Sequence, residues 1–236
     1  MTISKLSHSP PDWERTLKDH ELSSFDDFWS LPKTWVEAVN QRRNGWSGVS
    51  KISLGITGSD LYVKRQQEQK LYNLRHPFGV LTYRQEYEVL HRKPPIGGPQ
   101  WVYFGQSVKD NKASAVLATL ALPERFILFH DLVLLDEYEE FCSKLSNFKE
   151  VGAQLCAMHK KKFCHGALYA SHIYVDPGTC EVRLIDFERS RYCLNATTAA
   201  RRDLIQFLRR MHGLTKPQLM AMLSPYQTHL PKALKA

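Results

Sequence analysis

The sequence lacks any apolar stretch long enough to cross a bilayer as a helix. Its longest, residues 113–122, is broken by Ser114 and Thr119. The N-terminal stretch up to Trp13 is polar, carries Pro10 and Pro11, and has no apolar signal-peptide core. These absences predict a soluble chain that stays in the cytoplasm. Cysteine is sparse, with five residues (Cys142, Cys156, Cys164, Cys180 and Cys193) and no pair at C-x-x-C spacing. An odd, scattered set argues against a disulfide framework and against a zinc site, and reads as reduced, mostly buried thiols. There is no internal repeat and no low-complexity tract. No RNP motif, zinc finger or basic arm with interleaved aromatics is present, so nucleic acid is the weaker of the anionic partners that a basic surface could take. Acidic residues are scarce in one region. Residues 188–236 hold nine Lys or Arg but only Glu188 and Asp203, and so carry +7 of the chain's net +8. Such a quarter reads either as a solvated face or as a surface for an anionic partner.

What is present is an ordinary globular composition. The 236 residues are 43% apolar and 24% charged, enough for one large domain or two small lobes. Residues 1–31 read as a short helical or irregular extension. From Thr34 to Lys64 the pattern is strand-like. Turns are expected at Asn44-Gly45-Trp46-Ser47-Gly48 and at Thr57-Gly58-Ser59-Asp60. Between them residues 49–54 alternate apolar and polar as a half-buried strand does, and residues 61–64 supply a third strand. Residues 83–90 read as a helix stopped by Pro94-Pro95-Ile96-Gly97-Gly98-Pro99. Residues 101–104 and 115–122 read as two further strands. Beyond them Phe141, Leu145, Phe148, Val151, Leu155 and Met158 recur at helical spacing and mark a long amphipathic helix ending near Lys160-Lys161-Lys162. Asp176-Pro177-Gly178-Thr179 lies between two strand-like segments, 172–175 and 181–185, and signals a hairpin. The tail, residues 200–223, reads as helical. Strands with one helix, then a long helix, a hairpin and more helices, describe an α+β bilobal plan.

Five features stand in a fixed order. A glycine pair (Gly45, Gly48) precedes a strand lysine (Lys64), and a helix glutamate (Glu86) follows. Next comes a His-Gly-x-x-Tyr-x-x-His segment, from His165 to His172, and then a strand-end aspartate, Asp186, in Leu184-Ile185-Asp186-Phe187. Each type has a job in phosphoryl transfer. Glycine lets backbone approach phosphate, lysine supplies a compact cation, glutamate can hold that lysine, and a carboxylate gives magnesium a hard oxygen. Glu88 competes with Glu86 but faces a different side of the helix; Glu86 is preferred. His165 also has an ordinary reading, as a packing and backbone-bonding residue. Tyr169 reads as either functional or structural, and the structural reading is preferred.

These residues, with Arg42-Arg43-Asn44-Gly45-Trp46-Ser47-Gly48-Val49, Leu61-Tyr62-Val63-Lys64-Arg65, Arg84-Gln85-Glu86, Tyr169, His172-Ile173-Tyr174-Val175 and Leu184-Ile185-Asp186-Phe187-Glu188-Arg189-Ser190-Arg191, resemble the lipopolysaccharide kinase (Kdo/WaaP) family, most closely its InaA branch. The likeness covers roughly residues 40–210. It implies a bilobal protein-kinase-like fold. The expected layout is an extension (1–32), a small antiparallel-sheet N-lobe with one helix (33–122) and a mainly helical C-lobe (123–236).

It further implies ATP as donor, Mg2+ as cofactor and a sugar hydroxyl of the lipopolysaccharide core, or of a related glycolipid, as acceptor. Peripheral contact with the inner face of the inner membrane would accompany that acceptor. On this resemblance the catalytic set is Lys64, Glu86, His165, His172 and Asp186. The nucleotide set is Gly45, Ser47, Gly48, Lys64, Thr119 and Asp186, and the metal set is Asp186 and His172. Asp203 would anchor the catalytic loop. The sequence departs from active kinases of this kind at Ala167, where they carry an aspartate that accepts the acceptor hydroxyl's proton. The alternative function is therefore a pseudokinase that binds nucleotide and acts as a regulatory or binding protein. Glu188 replaces the glycine expected after Asp-Phe, so no hinge-like activation switch is expected.

Overall fold

The computed structural model describes residues 4–42, 45–55, 60–73, 76–93, 96–135 and 141–235. The chain divides into two compact units. One comprises Met1–Arg92 with Pro99–Leu122; the other comprises Lys93–Gly98 with Pro123–Ala236.

The first unit runs β1 (Ser4–His8), α1 (Pro11–Asp19), α2 (Phe25–Ser30), β2 (Asn40–Arg42), β3 (Gly45–Ile52), β4 (Leu61–Gln67), β5 (Lys70–Asn73), β6 (His76–Leu81), α3 (Thr82–His91), β7 (Trp101–Lys109) and β8 (Lys112–Leu120). Six of the strands form an antiparallel sheet in the order β1-β7-β8-β4-β3-β2, while β5 and β6 make a separate hairpin. The β7–β8 turn falls on Asp110 and Asn111, both at positive φ, as a two-residue hairpin turn requires.

The stretch expected to be an extension is built into this unit. β1 pairs along its length with β7, and α2 is closed at its start by a reciprocal Ser24–Asp27 capping box. Leu17, Leu22, Phe25 and Phe28 then pack on Leu61, Val63, Val102, Val116 and Ala118 of the sheet to form a core. The opposite sheet face carries α3, whose Tyr87 stacks on Phe104 at 4.2 Å.

The expectation of a glycine turn at residues 44–48 is corrected. Gly45 to Gly48 form the first half of β3, and Arg43 and Asn44 lie outside the described residues. A Cβ on Gly48 would sit 2.6 Å from the Trp35 ring, and one on Gly45 would sit 2.6 Å from the backbone of Gln67. Both glycines are thus accounted for by close packing inside the unit. Of the second expected turn, Thr57, Gly58 and Ser59 lie outside the described residues, as do Pro94 and Pro95 of the helix stop.

The second unit runs β9 (Ile127–Leu128), α4 (Phe129–Leu135), α5 (Phe141–Lys160), β10 (Phe163–Cys164), β11 (Ile173–Val175), β12 (Val182–Leu184), β13 (Arg191–Tyr192), α6 (Ala196–Leu208) and α7 (Lys216–His229). The expected long helix is α5, with Phe148, Val151, Leu155 and Met158 fully buried. On that helix a Cβ at Gly152 would collide with the Met222 carbonyl, so glycine lets α7 lie close against α5. The expected hairpin is β11–β12, and Asp176 Oδ1 accepts the Gly178 N–H inside its turn at 2.9 Å. The helical tail comprises two helices, α6 and α7. Gly213 at φ +87° breaks it, and Thr215 opens α7 with a capping box. The nine basic residues of 188–236 are all exposed. Among the described residues no helix is long and apolar enough to cross a membrane.

Candidate active site

Each unit carries one half of the candidate residue set. In the first unit the ladder puts Lys64 on β4 opposite Val49, with Ser47 opposite Gln66 and Thr119 opposite Tyr62. Strand alternation therefore places Ser47, Lys64 and Thr119 on one sheet face. Gly48 pairs with Arg65 and belongs to the other face. Lys64 Nζ donates to both carboxylate oxygens of Glu86, at 2.7 and 2.8 Å. The Glu86 side chain is 1% exposed and that of Lys64 14%. Two ionised groups this dry are stable only as a pair. The Tyr83 ring lies 5.7 Å from the ammonium and closes a further side. Glu88, the competing residue, instead meets Arg84 and Arg92 on the exposed side of α3.

In the second unit the loop after β10 hangs on Asp203 of α6. The Asp203 carboxylate accepts the backbone N–H of His165 at 2.7 Å and of Gly166 at 2.9 Å. It also accepts His159 Nε2–H at 3.0 Å and the Cys164 thiol at 3.2 Å. Burial would raise its pKa, but the His159 hydrogen bond and charge and the loop N–H donors outweigh this and hold it below the usual carboxylate value. The Tyr226 hydroxyl, its pKa driven well up by burial, meets His159 Nδ1 at 2.8 Å and extends the chain of bonds. Cys164 is pushed above the ordinary thiol range by burial and by Asp203, so it is an inert donor here.

His165 is fully buried, and its Nε2 meets the Ile185 carbonyl at 3.0 Å. A carbonyl only accepts, so Nε2 carries the proton. Burial lowers the pKa of the ring and keeps it neutral. This geometry fits the packing and backbone-bonding reading. Likewise His172 Nδ1–H donates to the Ala167 carbonyl at 2.8 Å, which turns Nε2 toward Asp186 Oδ2, 3.5 Å away. Asp186 follows β12 in the left-handed conformation (φ 66°, ψ 60°), and its side chain is 27% exposed. Ala167, where a base is expected, is a buried methyl group. The Tyr169 hydroxyl accepts from Gln206 at 2.7 Å, and the Arg210 guanidinium lies 4.5 Å over its ring.

Among the described residues no three His, Cys, Asp or Glu cluster closely enough to cage a metal. A lone accessible carboxylate at Asp186 is nonetheless what magnesium takes when phosphate oxygens and water complete its shell. The donor set fits that cation. His172 fits it less well as a direct ligand, because neutral imidazole is a poor partner for magnesium.

Residues 26–226 match the model of the lipopolysaccharide kinase (Kdo/WaaP) family. The chain belongs to that family. It is 30% identical over 202 residues to Protein InaA of Escherichia coli (strain K12), covering 83% of this chain and 92% of that relative. A solved structure described as WaaP in complex with acyl carrier protein has a similar fold, with a TM-score of 0.63 at 16% identity. The likeness covers 94% of this chain and 89% of that one. The resemblance read from the sequence is thereby borne out at the level of family.

Two structural members of the set escaped the sequence reading. His159 falls four residues after Leu155, on the buried stripe of α5, and that spacing was the available signal. Arg65 is fully buried on the sheet face away from Lys64. Its Nη2 donates to the Pro32 carbonyl at 2.8 Å and to Ser50 Oγ at 2.6 Å, and its Nη1 donates to the Leu31 carbonyl. No sequence rule marks an arginine for burial in a strand.

Proposed function

We propose that the chain is an ATP-dependent phosphotransferase of a protein-kinase-like bilobal type, acting on a sugar hydroxyl of the lipopolysaccharide core or of a related glycolipid. The observation that carries this reading is the buried Lys64–Glu86 ion pair on an antiparallel sheet. Glu86 fixes the ammonium where it can bind phosphate oxygens, and Ser47 and Thr119 on the same face would border the nucleotide. Asp186 would hold a magnesium ion, which when bound neutralises phosphate charge. With Nδ1–H held by the Ala167 carbonyl, His172 would need a second proton on Nε2 to donate to the Asp186 carboxylate or to phosphate. Asp203 holds the loop backbone that positions His172. The exposed cations of residues 188–236 suit an already anionic acceptor at the inner face of the inner membrane. Phosphoryl transfer depends mainly on positioning and charge stabilisation, so a missing base at Ala167 lowers the rate without abolishing it.

The test is transfer of labelled γ-phosphate from ATP to purified lipopolysaccharide. The wild type is expected to label it, and Asp186→Asn to reduce labelling by about a hundredfold or more. Undiminished transfer by Asp186→Asn would overturn the assignment. The buried methyl of Ala167 favours a second reading, a nucleotide-binding pseudokinase. Under it, the wild type binds ATP without turnover and Ala167→Asp creates transfer.

A further inference from the structure

The first unit has a recess on the face of its sheet that Lys64 does not share. Trp46 lies opposite Gln67, three positions from Lys64, and Gln41 lies opposite Trp46. The Trp35 ring sits over Gly48, which pairs with Arg65 on that same face. The recess is an open groove of about 600 Å3, with Lys33, Trp35, Gln41, Arg42 and Trp46 among its lining residues. That volume suits a small molecule.

Among the described residues no carboxylate lines the recess, and neither Lys33 nor Arg42 pairs with one. Lys33 Nζ stands 5.3 Å over the Trp46 ring. The walls are held in place before any ligand arrives. Trp35 meets Trp46 edge-on at 5.8 Å, and the Arg65 guanidinium lies 4.9 Å from the Trp35 ring. The same guanidinium ties down the carbonyls of Leu31 and Pro32, just before Lys33. Preorganised walls reduce the ordering cost of binding.

Two cations with no carboxylate partner among the described residues select an anion, and arginine in particular matches phosphate through paired N–H donors. Two indoles offer apolar surface to ring C–H groups, and the Gln41 amide can serve hydroxyls. Trp46 is already flanked by Trp29 at 5.5 Å, by Trp35 and by the Lys33 ammonium. This crowding suits the edge contacts of a puckered sugar ring better than the full-face stacking of a nucleobase. We infer that this recess binds a phosphorylated sugar, at a site separate from the phosphoryl-transfer residues. The inference does not rest on the phosphotransferase reading.

The test titrates the full chain with mannose 6-phosphate, followed by tryptophan fluorescence and by saturation-transfer NMR on the sugar. Mannose, inorganic phosphate and adenosine monophosphate are the comparison ligands. Lys33→Glu and Arg42→Glu alter exposed side chains, and circular dichroism checks that the fold persists. Saturable binding of the sugar phosphate is expected, about tenfold weaker in each charge reversal and unchanged in Lys64→Ala. Mannose and inorganic phosphate alone should bind at least about tenfold more weakly. The inference is overturned by absence of saturation at about 20 mM, by equal binding of inorganic phosphate, by tighter binding of the nucleotide, or by indifference to both charge reversals. Because Lys64→Ala leaves this readout unchanged, its failure is separate from failure of nucleotide binding.

Discussion

Asp203→Ala removes the group on which the second unit hangs its loop. The substitution leaves the buried N–H of His165, the half-buried N–H of Gly166, His159 Nε2–H and the Cys164 thiol without their acceptor. Each buried donor left unpaired costs about 1–3 kcal/mol. Two backbone donors and one imidazole donor, partly rescued by entering water, sum to about 4 kcal/mol. For a chain of this size that lowers the unfolding midpoint by about 8–16 °C. Urea unfolding, read by tryptophan fluorescence and circular dichroism, should show the loss as a lower midpoint at unchanged slope. The pH dependence supplies an independent reading. Because the folded-state pKa of Asp203 is depressed, its contribution is complete above the ordinary aspartate value, about 3.9, and fades as pH falls through the lower folded-state value. The alanine variant should lack this acid-side loss. An Asp203→Ala protein within about 1 kcal/mol of wild type would refute the assignment of this carboxylate as the loop's anchor.

Glu86→Gln should strand the Lys64 ammonium, and a double-mutant cycle with Lys64→Met, read by urea unfolding, should give a coupling of about 1–2 kcal/mol. His165 is buried neutral, so the unfolded chain takes up a proton that the folded chain refuses as pH falls below about 6.5. Between pH 7.5 and 5.5 the wild type should therefore lose more stability than His165→Gln, measured as the shift in urea midpoint. Arg65→Met keeps the side-chain bulk but orphans the carbonyls of Leu31 and Pro32 and the Ser50 hydroxyl. It should cost about 2 kcal/mol in urea unfolding and loosen the segment bearing Trp35, seen as a changed tryptophan emission.

Helices α3 and α5 and the Lys64–Glu86 pair were legible because their signals are local; α4 was not anticipated. The stripe of α5 repeats at helical spacing, and Glu86 differs from Glu88 by the helix face each occupies. The β11–β12 hairpin announced itself through Asp176-Pro177-Gly178-Thr179, whose side-chain bond closes the turn. β1 was not legible. Its Ser-Lys-Leu-Ser-His has weak strand character, and its partner β7 lies about a hundred residues along the chain. β10 and β13 are two residues each and exist only through their mutual pairing. The segment 45–48 was read as a turn from its glycines, yet those glycines are there because Trp35 and the Gln67 backbone occupy the space a side chain would need. Among the candidate site residues, sequence order suggested the set, but the tautomers of His165 and His172 follow from which carbonyls they face, and no sequence pattern encodes that.

The central claim is that Lys64 and Asp186 serve a nucleotide bound with magnesium. Calorimetric titration of the full chain with ATP and magnesium tests it most directly, beside Lys64→Ala and Asp186→Asn proteins whose folding is checked by circular dichroism. Saturable binding in the micromolar to low-millimolar range is predicted, weakened about tenfold or more by each substitution. Heats indistinguishable from dilution at millimolar ATP, or wild-type affinity in both variants, would contradict it.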